Sequence, residues 1–303
     1  MADAPLEVAI FSYNRGTYLE HCVGSVRRNM PFARIRVFDD RSDDPETVAY
    51  LKTLGDAVHI RDGGETARLG GLYANMQSAV DNCKAPYVMF LQDDMQIVRP
   101  VDTVDLQTFD HFFADHRKAA FITPLFQKAH RRRSRQRYLR PAPGHRGYLF
   151  DMPSDAEGRL VDRFYNDVTI ADVARLRAAK WHFTPVEREN AAQAQSLFSE
   201  MLFLGDPFAF FCLSPPTYRY RATTWASRRA HAVFGDQVKG FHDLSQEELA
   251  RLRARPIDQI AYAEDWLRPT VENVRKPYVF KAVNERWHWR ALNKIELALR
   301  GLN

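Results

Sequence analysis

Tyr87 to Gln96 reads YVMFLQDDMQ, five apolar or aromatic residues running through Gln92 into two adjacent carboxylates, Asp93 and Asp94. A short continuous apolar run behind a breaker, here Pro86, is the pattern of a strand buried on both faces of a mainly parallel sheet. Ligands of open α/β sheets bind beyond the carboxyl ends of the strands. Two acids at such an end are placed to hold a divalent cation, because Mg²⁺ takes one or two carboxylates together with substrate phosphates. A strand that stops at a solvated acidic turn would give the same letters, and a bare acidic pair does not separate the two readings.

Upstream the chain alternates strands and helices. Leu6 to Ser12 (LEVAIFS) reads as a strand closing on Tyr13-Asn14-Arg15-Gly16, and Leu19, Cys22, Val23 and Val26 then fall on one helical stripe. Ile35 to Phe38 is a second strand ending in Asp39-Asp40-Arg41-Ser42-Asp43-Asp44, where Asp44 suits an N-cap and Pro45 a first helical position. Ala57 to Ile60 is a weaker third strand, and Gly70-Gly71 opens a helix carrying Leu72, Met76, Ala79, Val80 and Cys83 on one face. This rhythm predicts a parallel sheet with helices on both sides. Acids then gather at two strand ends: Asp40 could accept from a base or ribose, while Asp94 reaches a phosphate-bound metal. The chain has neither GxGxxG nor a Walker A sequence, so neither a dinucleotide site nor a P-loop is indicated.

Three blocks, IFSYNRGTYLEHCVGSV, RVFDDRSDD and YVMFLQDDMQ, resemble in order and spacing the ordered blocks of family 2 glycosyltransferases with the GT-A fold. The resemblance covers about the first hundred residues. It implies a Rossmann-like, mainly parallel α/β sheet flanked by helices, a nucleotide-sugar donor (UDP-linked first) and Mn²⁺ or Mg²⁺ against the diphosphate. Carried over by position, Tyr13 stacks on the base beside Asn14, Asp40 hydrogen-bonds the base, and Arg68 approaches the diphosphate. Asp93 serves the ribose or metal and Asp94 the metal. Gln92 stands where many members have the first Asp of D-x-D, which weakens the expectation of metal use.

In inverting members the catalytic acid lies roughly ninety to a hundred residues past the metal motif. Glu187 and Glu189 in VEREN fall 93 and 95 positions beyond Asp94 and are the candidate bases. Without the resemblance they read as first-turn acids of a helix beginning near Asn190. Glu264-Asp265-Trp266-Leu267 looks locally like the family's E-D-x-x-L motif, but lies too far along and ranks second. Arg131 to Arg140 holds six arginines in ten residues. Such a run reads first as a solvated mobile loop, second as a lid or grip for a diphosphate or anionic acceptor. It lacks the aromatic interleaving that nucleic-acid binding favours.

Residues 1–221 are expected to form the catalytic domain, with 1–100 the donor half and 101–221 the acceptor half, and 222–303 a helical C-terminal extension. The last helix, about 284–299, places Trp289, Leu292, Ile295 and Leu299 on one side. Docking of that side on the domain is the first reading. A peripheral membrane foot serving a lipid-linked rather than a soluble glycan acceptor is the second. His231 and His242 read first as surface or structural residues and second, by the resemblance, as a third metal ligand. The 303 residues carry a net charge of +5, which favours anionic partners. Three scattered cysteines point to core thiols in a reducing compartment, and the start lacks a secretory pattern, so cytoplasm is the expectation. The rival readings are a nucleotidyltransferase of related fold, whose glycine-rich basic first loop is missing here, and a non-catalytic protein binding nucleic acid or anionic membrane.

Overall fold

The computed structural model describes residues 4–60, 71–151, 160–216, 224–226, 229, 237–279 and 287–300. Arg68, His231 and the Gly63-Gly64 stretch lie outside these. The chain runs β1 (Leu6–Ser12), α1 (Gly16–Asn29), β2 (Arg34–Asp39), α2 (Pro45–Leu54), β3 (Val58–Ile60), α3 (Leu72–Asn82) and β4 (Tyr87–Gln92). It continues through β5 (Met95–Ile97), α4 (Thr103–Asp115), β6 (Ala119–Thr123), α5 (Arg132–Tyr138), β7 (Leu139–Pro141) and β8 (Gly147–Phe150). Then come α6 (Leu160–Arg163), β9 (Ile170–Asp172), α7 (Val173–Ala178), α8 (Glu187–Leu197), β10 (Glu200–Leu204) and β11 (Ala209–Phe211).

Nine strands form one sheet in the order β3-β2-β1-β4-β9-β6-β10-β8-β7. Parallel pairing joins β3, β2, β1 and β4, and also β6 and β10. Strand β9 is antiparallel to both β4 and β6, and β8 to both β10 and β7, so only these two run against the rest. The sheet is therefore the mainly parallel α/β sheet that the strand–helix rhythm predicts. A separate two-stranded ribbon pairs β5 with β11 just past the acidic end of β4.

Alternation along β1 explains why the sheet is covered on both sides. Leu6, Val8 and Ile10 pack with Leu19, Cys22, Val23 and Val26 of α1, while Ala9 and Phe11 pack with Met76, Ala79 and Val80 of α3. All seven β1 residues are buried. Each fully buried large aliphatic or aromatic side chain contributes about 1.5–3 kcal/mol. Cys22, Cys83 and Cys212 are buried free thiols, as expected of core positions.

Beyond residue 222 the segment 237–279 shares this core. Phe241, Leu244, Leu252, Leu267 and Tyr278 belong to the cluster that contains Val8 and Ile10. Gln96 of β5 clamps the segment, its Nε2 donating to Phe241 O at 2.7 Å and its Oε1 accepting from Phe241 N–H at 2.9 Å. A short helix at Gln246–Ala254 starts with the expected capping box between Ser245 and Glu248.

Two expectations are corrected. Residues 129–138 are not a loop: a 3₁₀ turn (Ala129–Arg131) leads directly into α5. Aromatic faces hold its cations, with Arg132 4.2 Å from the Tyr262 ring and Arg135 5.0 Å from that of Phe150. The last helix, Trp287–Leu299, is not docked by its apolar stripe either. Leu292, Ile295 and Leu299 are exposed and Leu297 is the buried leucine. The polar side does the docking: Glu296 accepts from the backbone N–H groups of Trp225 (2.8 Å) and Ala226 (3.1 Å), and Asn293 bonds Thr224 at 2.5 Å.

Candidate active site

The turns after β1, β2 and β4 meet at the carboxyl end of the sheet. Asn14, after β1, sits at φ 51°, in the left-handed region that Asn tolerates better than most residues. Its side chain knots the first turn to the second. Oδ1 accepts from the N–H groups of Asp43 (2.9 Å) and Asp44 (3.0 Å), and Nδ2 donates to Asp43 Oδ1 at 2.6 Å. Its own N–H donates to Ser42 Oγ (2.9 Å), and Ser42 in turn donates to Asp39 through both N–H (2.7 Å) and Oγ (2.6 Å). Asp40 accepts from the N–H of Gly71 at 2.8 Å, ahead of α3. A Cβ at position 71 would stand 2.1 Å from Asp40 Oδ1, so any larger residue there requires the Asp40 carboxylate to move.

Asp93 is completely buried and Asp94 nearly so. The Asp93 N–H donates to Phe11 O at 3.1 Å, and Oδ2 accepts from Tyr13 N–H at 3.3 Å. Arg15 joins the two acids: one guanidinium nitrogen contacts Asp93 Oδ1, while Nη1 bonds Asp94 Oδ2 at 2.8 Å and Pro216 O at 3.2 Å. Burial works against the Arg15 charge, but Asp93 and Asp94 outweigh it and hold its pKa above the ordinary value. Burial pushes the Asp93 carboxyl up, against the pull of Arg15. Sequence reading passed over Arg15. Its place one residue after the Tyr13-Asn14 turn and one before α1 was the available signal.

A cavity of about 380 Å³ opens beside Asp94. Glu187, at the first turn of α8, lines it; Glu189 is exposed and does not. Thr184 and Asn190 fix the entry to α8 through Thr184 N–H to Asn190 Oδ1 (2.7 Å) and Asn190 Nδ2 to Thr184 O (2.9 Å). The second-ranked acids lie elsewhere. Asp265 pairs with Arg132 at 2.9 Å, half-exposed, and the buried Glu264 accepts from the N–H groups of Ala129 and Tyr278. Phe126, Phe203, Phe210 and Phe211 supply much of the cavity's apolar lining.

Asp167, in the Phe164–Val168 stretch that resembles the family's acceptor side, was given no role of its own by the sequence. It is buried, and burial first, then the Glu187 charge, raises its pKa to about 7 against the Tyr73 hydrogen bond of 3.2 Å. Its Oδ1 and both side-chain polar atoms of Asn166 have no hydrogen-bond partner among the described residues. Among those residues no three His, Cys, Asp or Glu side chains converge to hold a metal. The structure thus brings Tyr13, Asn14, Asp40, Asp93 and Asp94 to one end of the sheet, with Glu187 across the adjoining cavity.

A mainly parallel α/β sheet with acidic strand ends and a cavity beside them is the layout of a ligand-binding α/β enzyme. The sequence profile described as "Glycosyl transferase family 2" matches residues 7–142, so that this span of the chain is similar to family 2 glycosyltransferases. Among curated proteins none matches. Solved structures with similarity include residues 1–349 of TarS from S. aureus, at 14% identity and TM-score 0.47 over 68% of this chain and 60% of that one. The same TarS fragment in complex with UDP-GlcNAc gives 13% and 0.47 over 82% and 70%. The mannosyltransferase PcManGT from Pyrobaculum calidifontis, in complex with GDP-Man and Mn²⁺, gives 12% and 0.41 over 76% and 61%.

Proposed function

We propose that this glycosyltransferase moves a sugar from a nucleotide-sugar donor, UDP-linked in the first instance, to an acceptor hydroxyl with inversion at the anomeric carbon. The observation that carries the reading is the placement of Asp94 and Glu187 on one cavity, so that a leaving-group site and a candidate base address the same space. Tyr13 and Asp40, from the neighbouring strand ends, are the nucleotide contacts, and Asn14 holds their two turns together. Arg68 belongs to the same proposal for the diphosphate.

Asp93 and Asp94 form a donor set of carboxylates without thiol or imidazole, which fits a hard cation sharing its remaining sites with phosphate oxygens. They would hold Mn²⁺ or Mg²⁺, which when bound supplies positive charge against the leaving diphosphate. Arg15 supplies one cationic partner to these acids already. Glu187 takes the acceptor hydroxyl proton, a contribution typically of about 10²–10⁴-fold. The phenylalanine lining of the cavity keeps water from competing with the acceptor.

The test is calorimetric titration of UDP, GDP, CDP and dTDP, each with Mn²⁺ and with chelator. Tight binding of one nucleotide, strengthened by the metal, is expected. Absence of nucleotide binding under both conditions would overturn the reading.

A further inference from the structure

The last helix, Trp287–Leu299, is held by its polar side and turns its apolar side to solvent. Leu292, Ile295 and Leu299 fall at i, i+3 and i+7 on one stripe and are 44%, 58% and 84% exposed. Trp225, anchored to the same helix by its N–H on Glu296, is 57% exposed. An amphipathic helix on a globular domain ordinarily buries such a stripe. Here the Glu296 and Asn293 bonds and the buried Leu297 fix a different roll, so the outward stripe is built into the fold.

Charge decides what this stripe fits. Glu296 is the one acid between Trp287 and Arg300, and it is turned onto the Trp225 and Ala226 N–H groups and onto Arg300. Lys294 is exposed beside the stripe, about 100° of helical turn from Ile295. The helix thus shows the outside apolar side chains and a cation, and no carboxylate of its own. A second copy docked on the stripe would carry both lysines into one contact with no carboxylate on either helix to pair them. Anionic headgroups supply the missing charge, and the acyl boundary beneath them takes apolar side chains. The net charge of +5 acts in the same direction. With 13 residues the helix is about 20 Å long, too short to cross a hydrocarbon core of about 30 Å and suited to lying in its interface.

We infer that this stripe seats the protein on an anionic lipid bilayer, with Leu292, Ile295 and Leu299 in the acyl boundary and Lys294 at the phosphates. Trp225 fits the headgroup level, where an indole presents an apolar body and a polar N–H. This seat goes beyond the transferase reading and does not depend on it: nucleotide binding tests the one and lipid binding the other.

The experiment sediments the whole protein with vesicles of mixed phosphatidylglycerol and phosphatidylcholine and, separately, of phosphatidylcholine alone. Wild type is compared with Leu292→Gln, Ile295→Gln, Leu299→Gln and Lys294→Gln, and Val104→Gln, at an exposed apolar position of α4, is the control. Binding to the anionic vesicles is expected, weakened about tenfold by each apolar variant, about fivefold by Lys294→Gln, and unchanged by the control. The three apolar positions are exposed, so their variants keep the fold, which urea melts verify; if one melts early, the other two still read the stripe. Absence of vesicle binding, or binding that every variant retains in full, would overturn the proposal. So would equal binding to both vesicle types, which would remove the headgroup pairing. A concentration-dependent dimer in sedimentation equilibrium, dissociated by the same three variants in a protein that leaves vesicles unbound, would give the stripe to a second copy and overturn it as well.

Discussion

Glu187 and Glu189 stand two positions apart at the start of α8, and a helix turns about 200° over that step. One side chain therefore meets the cavity while the other meets solvent. Glu187→Gln is expected to lower transfer by about 10²–10⁴-fold with nucleotide affinity preserved, and Glu189→Gln to stay near wild type. Single-turnover kinetics with a calorimetric control decide it, and equal turnover for both variants would remove Glu187 as the base. Asp167 makes a second test. Its pKa rises on folding from the ordinary 3.8 to about 7, so the native state holds a proton there that the unfolded chain releases. The associated stability is full below about pH 4, declines as pH rises, and is lost once the native carboxyl ionises near 7. The span corresponds to about 4 kcal/mol at 1.36 kcal/mol per unit. Asp167→Asn should flatten that decline and make the protein more stable than wild type at pH 8 in urea melts. At this scale sequence spacing narrowed the base to two acids, and only the phase of the helix separates them. Arg15 and Asp167 escaped because their roles come from burial beside carboxylates 78 and 20 positions away, which no local pattern displays.

Elements were more legible where local chemistry and packing agree. The β1 and β4 runs, the Asp44 cap of α2 and the capping box at Ser245 each announce themselves within a few residues. Prediction failed where a partner far along the chain decides. Arg131 to Arg140 looked self-repelling, yet Tyr262, Asp265 and Phe150 come from three later places to stack on or pair with its cations. The last helix shows the same effect, because Glu296 finds two backbone donors and turns the apolar stripe outward. Its consequence is measurable. Leu292→Gln, Ile295→Gln and Leu299→Gln should each shift stability by no more than about 0.5 kcal/mol, as surface changes do. Leu297→Ala should cost about 2–5 kcal/mol. A large loss in the first three, by chemical denaturation, would restore the docked stripe.

Across the whole molecule, buried arginines tie the sheet to the segments that follow it. Arg99 is fully buried, with both nitrogens of its fork on Asp105 (2.9 and 2.7 Å) and further bonds to the carbonyls of Pro207 and Asp206. Arg253, from the helix at Gln246–Ala254, reaches the same Asp105 at 3.1 Å. Asp105→Ala would leave the Arg99 charge buried without its counter-ion, and a loss of about 3–5 kcal/mol is expected in equilibrium unfolding. No helix among the described residues is long and apolar enough to cross a membrane.

The two rims of the nine-stranded sheet are the three-residue strands β3 and β7. Strand β7 reads Leu-Arg-Pro, with the arginine and proline exposed. A proline offers no N–H to an incoming strand, a cation resists close approach by another copy, and three residues are too few to template one. A sheet this wide would otherwise be an invitation to grow from molecule to molecule. At the β7 rim, so short and so guarded, the sheet ends where its own chain ends.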